Sequence, residues 1–173
     1  PTATALSHLG TCLFYEGRYG KAADAYARAA ALQPENGTVW LNLGDSLRWK
    51  GEGRSAWEEA YRRAITHLEA DLALTPRDTE LLTSLALALA WTGRHAADRR
   101  TVDEARALGP EDPNVLRYAG LVYLAAGETE KALGFLEGAV ARGYSVAELR
   151  HDPELLRLKG DARFARLTGA SPG

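Results

Sequence analysis

The stretch Trp40-Leu41-Asn42-Leu43-Gly44-Asp45-Ser46-Leu47 decides the fold of this chain of 173 residues. Its large apolar residues stand at helical spacing around one glycine. The same arrangement surrounds Gly10, Ala86 and Gly120, so the four small positions are separated by 34, 42 and 34 residues. Self-similarity at such a period predicts stacked helix pairs, each burying its apolar face against the next. The small residue lets the partner helix approach closely, despite glycine's cost of about 1 kcal/mol inside a helix.

Two further columns repeat with the same intervals and mark the ends of the helices. Glycines, which can end a helix in the left-handed conformation, stand at Gly17, Gly51, Gly93 and Gly127. Prolines, which cannot continue a helix, stand at Pro34, Pro76 and Pro110. Each repeat therefore consists of a first helix, a glycine turn, a second helix and an exit.

The pattern Trp-x-x-Leu-Gly-x-x-Leu over 40–47 resembles the tetratricopeptide repeat, and the likeness covers about residues 3–142. The resemblance implies an all-α fold, a right-handed α-solenoid of four helix pairs. We expect the units at 3–36, 37–78, 79–112 and 113–142. In this family the first helices usually line a concave groove whose inner faces contact ligands.

The second unit is longer than its neighbours because its second helix is extended. Of eight additional residues, one falls in the turn after Gly51 and seven lie between Ala64 and Pro76. Seven residues make two helical turns with a drift of only about 20°, so the apolar face continues. The spacing predicts a helix over 54–74, roughly 31 Å long, whose extra turns project beyond the neighbouring helices.

After Ala139 the repeat gives way to short segments with their own helix starts. Ser145-x-x-Glu148 is a capping box, Asp152-Pro153 places proline at a first helical position, and Asp161 can cap a last turn. A stack of repeats exposes an apolar face at its end, so we expect 143–168 to form a helical cap over it. Residues 169–173 are expected to be a frayed tail.

This ending also resembles the closing module of certain bacterial tetratricopeptide proteins. The likeness rests on the run from Arg142 to Leu155, on Gly160-Asp161-Ala162-Arg163-Phe164 and on the lengthened second unit. In such proteins these repeats often form the C-terminal part of serine/threonine kinases, cyclases or transcriptional regulators. The resemblance implies the tail of a larger signalling protein, and a chain that begins at Pro1 without methionine is expected to be a fragment.

Composition argues against several kinds of partner. The formal net charge is −2 with both signs interspersed, so we expect no nucleic acid. No apolar run approaches the roughly 20 residues that cross a bilayer, so we expect no membrane partner. The single Cys12 excludes an internal disulfide and favours a reducing, cytoplasmic location.

The sequence lacks patterns of catalytic or metal-binding residues. No His-Glu-x-x-His, paired cysteines or phosphate-binding glycine loop occurs. His8 and Cys12 lie one helical turn apart, which is compatible with a metal pair or an activated thiol. No third partner is visible, so a thiol beside a surface imidazole is the favoured interpretation. We expect no enzyme activity, no catalytic or metal-ligating residue and no cofactor.

The inner faces of the first helices hold the candidate binding residues. Three aromatics at equivalent positions, Tyr15, Trp49 and Trp91, either form a ladder exposed in the groove or pack onto neighbouring second helices. The packing alternative is favoured, because aromatic residues in helices usually belong to the core. The candidate groove residues are Ser7, Thr11, Tyr15, Asn42, Asp45, Arg48, Trp49, Ser84, Leu87, Trp91, Arg117 and Leu121.

These features lead to two hypotheses about function. The first is a non-catalytic scaffold that binds a partner peptide or protein segment in the concave groove. The second is a regulatory or self-association module of a larger signalling protein such as a bacterial kinase or transcriptional regulator. Some tetratricopeptide co-chaperones hold C-terminal carboxylates with a clamp of basic residues and asparagine. Only Asn42 matches that clamp, so such tails are not expected as ligands.

Overall fold

The computed structural model describes residues 1–169, so 170–173 of the expected frayed tail lie outside the described residues. Every regular element in the described part is helical. The helices are α1 (Ala3–Tyr15), α2 (Tyr19–Leu32), α3 (Gly37–Lys50), α4 (Arg54–Leu74), α5 (Thr79–Trp91), α6 (His95–Leu108), α7 (Pro113–Ala125), α8 (Thr129–Ala141), α9 (Val146–His151), a 3-10 helix (Pro153–Leu158) and α10 (Ala162–Thr168).

The helices stack in pairs, and each pair packs on the next. The helices α1 and α2, α3 and α4, α5 and α6, and α7 and α8 form the pairs, while α2 packs on α3, α4 on α5 and α6 on α7. Contacts of α1 with α3, α3 with α5 and α5 with α7 run along the first helices. The prediction of an all-α solenoid of packed helix pairs is confirmed for the described residues, and its right-handed sense stays a prediction. The exact division into four units stays a prediction.

The small residues of the first helices are explained by the rings and side chains that face them. A Cβ added to Gly44 would stand 2.6 Å from Cε1 of Tyr61, and one added to Gly10 would stand 2.8 Å from the ring of Tyr26. Such distances are too short for any real carbon contact. The close approach predicted from the sequence therefore occurs, with the partner's side chain lying directly on the glycine.

The glycine turns take the left-handed conformation that ends a helix. Gly51 has φ of 84°, and its amide donates to the carbonyl of Arg48 at 3.1 Å while Glu52 donates to Leu47 at 3.0 Å. These bonds satisfy carbonyls that the helix leaves free at its end. Pro34, Pro76 and Pro110 each stand two residues after the end of α2, α4 and α6, as Pro76 does after Leu74.

Helix α4 has the bounds that the sequence predicts, but most of its added length does not project. Leu68 is fully buried, and Leu72 packs against the cluster that contains Leu82 and Ala105. Only the end of the helix leaves the stack, where Leu74 is 83% exposed. The extra turns pack on the third pair because seven added residues return the apolar face to the same side.

The C-terminal segments fold through the caps that the sequence predicts. Ser145 Oγ accepts from the amide of Glu148 at 3.2 Å, Asp152 Oδ1 from that of Glu154 at 3.0 Å and Asp161 Oδ1 from that of Arg163 at 2.8 Å. We call 145–168 the cap segment. Its buried apolar residues join the largest core cluster, beside Leu121, Leu133 and Leu136; they are Leu149, Leu155, Leu158 and Phe164.

Candidate functional site

The inner faces of α1, α3, α5 and α7 form a continuous surface, which we call the groove. A cavity of about 240 Å³ opens in it, and residues of all four helices line the cavity. A site that draws on every repeat is what stacking produces, because equivalent positions of successive first helices lie side by side. Eight of the twelve candidate groove residues line the cavity: Thr11, Tyr15, Asn42, Asp45, Ser84, Leu87, Arg117 and Leu121.

The remaining four candidates lie elsewhere. Ser7 is half-buried on α1 and does not line the cavity, and its carbonyl oxygen accepts from the hydroxyl of Thr11 at 3.1 Å. Arg48, Trp49 and Trp91 lie together at the end of the groove that the cap segment covers. Arg48 and Trp49 contact Glu154 of the cap segment, and Trp91 contacts Arg48.

The 3-10 helix of the cap segment enters the groove and closes one side of the cavity. Asp152 and Glu154 line the cavity from this side. The sequence predicts a helix start at Asp152 and no role for Glu154. Nothing local in the sequence indicates that this segment turns back over the first helices. The groove is therefore partly occupied by the chain itself.

Asp152 is tied to the groove by a buried ion pair. Its Oδ2 lies 2.5 Å from Nη2 of Arg117, and the two side chains are only 4% and 12% exposed. The other oxygen of Asp152 caps the 3-10 helix by accepting from Glu154. One carboxylate therefore both starts the helix and fixes it against α7.

Glu154 reaches two residues of α3. Its Oε1 accepts a hydrogen bond of 2.6 Å from Nε1 of Trp49 and forms an ion pair with Nη2 of Arg48. The guanidinium carbon of Arg48 lies 4.1 Å from the ring centre of Trp91. Glu154 thus contacts Trp49 directly and is linked to Trp91 only through Arg48. Tyr15, at 51% exposed, is the open member of the expected ladder.

Trp49 and Trp91 also have partners outside the cap segment. The rings of Trp49 and Tyr19 lie 5.6 Å apart, so Trp49 contacts the second helix of the preceding pair. Trp91 packs against two core clusters. Packing onto neighbours therefore describes the two tryptophans better than an open ladder does.

A buried hydrogen-bonded set lies behind the cavity wall. The Tyr61 hydroxyl donates to Asp45 Oδ1 at 2.6 Å, and Arg48 Nε donates to the Tyr61 oxygen at 3.1 Å. Burial raises the pKa of Asp45 above its ordinary value although Arg48 opposes the shift. Burial likewise raises the pKa of Glu154 to about 7, again against Arg48. Burial therefore disfavours the charged form of both carboxyl groups more than Arg48 favours it.

Several hydroxyl groups and aromatic faces complete the lining. The hydroxyls of Thr11 and Tyr26 are hydrogen-bonded at 2.8 Å. The ring of Tyr118 lies 4.9 Å from the guanidinium carbon of Arg117. Polar groups that point into a partly apolar cavity give such a surface the means to orient a ligand.

Arrangements typical of metal or membrane proteins are not found in the described residues. Among the side chains that the structure describes, no three of the histidine, cysteine, aspartate and glutamate types come together as metal ligands would. Over the same residues no helix combines the length and the apolar character needed to cross a bilayer. Cys12 is an exposed free thiol.

Comparisons with known proteins identify the repeats. Residues 3–36 and residues 99–148 match family models described as Tetratricopeptide repeat. No curated protein matches the chain. Among solved structures, YrrB, described as a TPR protein with an unusual peptide-binding site, is 24% identical, with 82% of this chain and 69% of that chain covered and a TM-score of 0.47. MamA from Desulfovibrio magneticus RS-1 is 16% identical, with 96% and 93% covered and a TM-score of 0.46.

Proposed function

We propose that the chain is a tetratricopeptide-repeat protein and that it is a non-catalytic scaffold that binds a segment of a partner protein in the groove. Helical repeats of this kind present extended surfaces for protein interaction. The observation that carries the proposal is the cavity, because residues of all four first helices and of the cap segment line it. A surface assembled from every repeat fits a bound segment better than any single-helix feature does.

The candidate groove residues have two roles in this proposal. The eight that line the cavity form the surface that receives the partner segment. Arg48, Trp49 and Trp91 act indirectly, because they hold Glu154 and so fix the wall that the cap segment supplies. Ser7 supports Thr11 from outside the cavity through its carbonyl oxygen.

Panning a phage-displayed library of random peptides on the full chain tests the proposal. Selected peptides are then titrated by calorimetry against Asn42→Ala and Tyr15→Ala. Both residues line the cavity; Asn42 is half-buried and Tyr15 is exposed, so either can be changed without opening the core. We expect each change to weaken binding about tenfold, a loss of about 1.4 kcal/mol. The control is Lys21→Ala, an exposed residue of α2 that does not line the cavity.

The proposal fails if panning enriches no peptide, or if both lining variants bind the selected peptides as tightly as the wild type. Peptides weakened equally by Lys21→Ala would place the binding surface on the second helices instead. Circular dichroism of each variant shows that the fold is intact before binding is compared.

The second hypothesis, a regulatory or self-association module of a larger signalling protein, has one feature in its favour. Leu9 and Leu32 are 48% and 57% exposed on the first helix pair. A second copy or another domain that covered them would bury this apolar surface. Light scattering tests self-association. If the wild type is a monomer at high concentration and Leu32→Ser has the same mass, self-association is contradicted.

A further inference from the structure

We propose that the cap segment makes the cavity selective for a partner segment that inserts a lysine or arginine side chain. This inference rests on the proposed function, since it names the chemistry of the segment that the groove binds. The cap segment brings two carboxylates to a surface whose first helices are close to neutral. It thereby sets the sign of the charge that the partner has to carry.

The charges that line the cavity are unequal. The first helices contribute Asp45, Glu80 and Arg117, and the cap segment adds Asp152 and Glu154. One guanidinium therefore faces four carboxylates in the lining. Charge complementarity favours a cation in the space that remains.

The two arginines of the first helices beside the cavity are already engaged with the cap segment. Arg117 is paired with Asp152 at 2.5 Å, and Arg48 is paired with Glu154. Asp45 shares Arg48 only at a distance of 3.8 Å. Asp45 is therefore the partly buried lining carboxylate that is poorest in positive charge. Burial raises its pKa, and Arg48 opposes the shift.

Glu80 adds a second, exposed negative charge to the lining of the cavity. It is exposed on α5, and in the described part of the chain no ion pair involves it. A basic side chain that enters past Glu80 and ends near Asp45 would meet a carboxylate at both ends of its path. The flexible stem of lysine or arginine suits such a path, because the charge can lie deep while the methylenes contact apolar walls.

The walls and the volume fit a single long side chain. Aromatic residues line the space, among them Phe14, Tyr15 and Tyr118, and aromatic faces attract cations within about 6 Å. Arg117 already lies against the ring of Tyr118. At about 240 Å³ the cavity is smaller than the roughly 300–1,000 Å³ typical of pockets for drug-sized ligands. One side chain of a longer segment fills it, while the rest of the segment lies along the groove.

The experiment uses the full chain and a phage-displayed library of random peptides. Selection is run in parallel on the wild type and on Glu80→Gln, and the residue types enriched at each peptide position are compared. One selected peptide and its counterpart with glutamine in place of the basic residue are then titrated against Glu80→Gln, Asp45→Asn and the control Glu111→Gln. Glu111 is an exposed glutamate that pairs with Arg142 and does not line the cavity.

We expect the wild type to enrich lysine or arginine at one position of the selected peptides. Glu80→Gln should weaken the basic peptide about threefold, as an exposed charge pair does. Asp45→Asn should weaken it at least about tenfold, as a partly buried pair does. Glu111→Gln should leave binding unchanged, and the glutamine counterpart should no longer distinguish the variants. Glu80→Gln keeps the test decisive if Asp45→Asn, which alters the bond to Tyr61, does not fold.

Each other outcome overturns the inference. Peptides that need Asn42 and Tyr15 but carry acidic or neutral residues at the common position contradict it, while leaving the proposed function intact. Basic peptides weakened as much by Glu111→Gln as by Glu80→Gln would show attraction to the whole surface instead of to the cavity. Peptides indifferent to Asn42 and Tyr15, or no peptides, contradict the proposed function as well.

Discussion

Arg117 of α7 and Asp152 at the start of the 3-10 helix form the buried ion pair that fixes the cap segment in the groove, with Nη2 and Oδ2 2.5 Å apart. The pair joins residues that are 35 positions apart in the chain. Because it lies where the first helices present their inner faces, the cap segment does more than cover the end of the stack. It supplies one wall of the cavity.

Loss of the Asp152 carboxylate should loosen the cap segment far more than loss of an ordinary helix cap. Asp152→Ala removes both a cap and the ion-pair partner of the largely buried Arg117, and breaking a buried pair costs about 3–5 kcal/mol. Asp161→Ala is the matched control, because Asp161 caps α10 through the amides of Arg163 and Phe164. Its loss should cost about 1 kcal/mol.

Urea denaturation of the two variants measures the difference. Equal losses in Asp152→Ala and Asp161→Ala would show that the pair with Arg117 adds nothing to a simple cap.

A methyl group at Gly44 should destabilise the stack, since its Cβ would stand 2.6 Å from the ring of Tyr61. Overpacking of this kind costs about 1–3 kcal/mol, which exceeds the gain in helix propensity. Gly134→Ala is the control, because Gly134 is exposed in the interior of α8 and nothing lies within 4 Å of an added Cβ. That change should stabilise the protein by about 0.5–1 kcal/mol.

Thermal denaturation gives opposite signs for the two glycine variants if the contact with Tyr61 is real. A gain in stability on Gly44→Ala would exclude the close approach.

The protein should lose stability as the pH rises from 5.5 to 8. Burial raises the pKa of Glu154 to about 7 from its ordinary 4.5, with Arg48 opposing the shift and Asp45 adding to it. Between pH 4.5 and pH 7 the Glu154 carboxyl is protonated in the folded state and ionised in the unfolded state. Its contribution to the free energy of unfolding is therefore fully present below pH 4.5 and is lost as the pH rises through 7. Its size is roughly 3 kcal/mol. Glu154→Gln should remove most of this dependence.

Titration followed by NMR assigns the effect to one residue. The indole N–H of Trp49 donates to Glu154, so its signal should shift with a midpoint near pH 7 in the wild type and stay constant in Glu154→Gln. A midpoint below 5 in the wild type would contradict the burial of this carboxyl.

Trp49→Phe should weaken the cap segment without disturbing the core. The change keeps a ring beside Tyr19 but removes the donor to Glu154, and a hydrogen bond to a charged group contributes about 1.5–3 kcal/mol. Trp57→Phe is the control, because Trp57 is a half-buried residue of α4 that contacts Tyr61 and lies outside the cavity lining.

Hydrogen exchange of the amides in the 3-10 helix should accelerate in Trp49→Phe and not in Trp57→Phe. Unchanged exchange in both would mean that the bond to Glu154 does not hold the segment.

The sequence predicts the features of this fold that depend on local spacing. The bounds of α4 follow from the apolar periodicity between Trp57 and Leu72, and the position of Gly44 follows from the small-residue column. The inner faces of the first helices follow in the same way, which is why eight candidate residues line the cavity.

The contacts of the cap segment with the groove could not be predicted from local patterns. Glu154 and Trp49 are 105 residues apart, and an isolated glutamate after proline carries no signal of its partner. The path of the segment depends on how Leu155 and Leu158 pack into the core beside Leu121. That packing turns the polar side of the 3-10 helix into the groove, where Glu154 accepts from Trp49 of the expected ladder.

A crystal structure of the chain with its tightest-binding selected peptide tests the central claim most directly. We expect the peptide to lie along α1, α3, α5 and α7, with one side chain in the cavity between Asp45 and the 3-10 helix. A peptide bound to the outer faces of α2, α4, α6 and α8, with the cavity empty, would contradict the account.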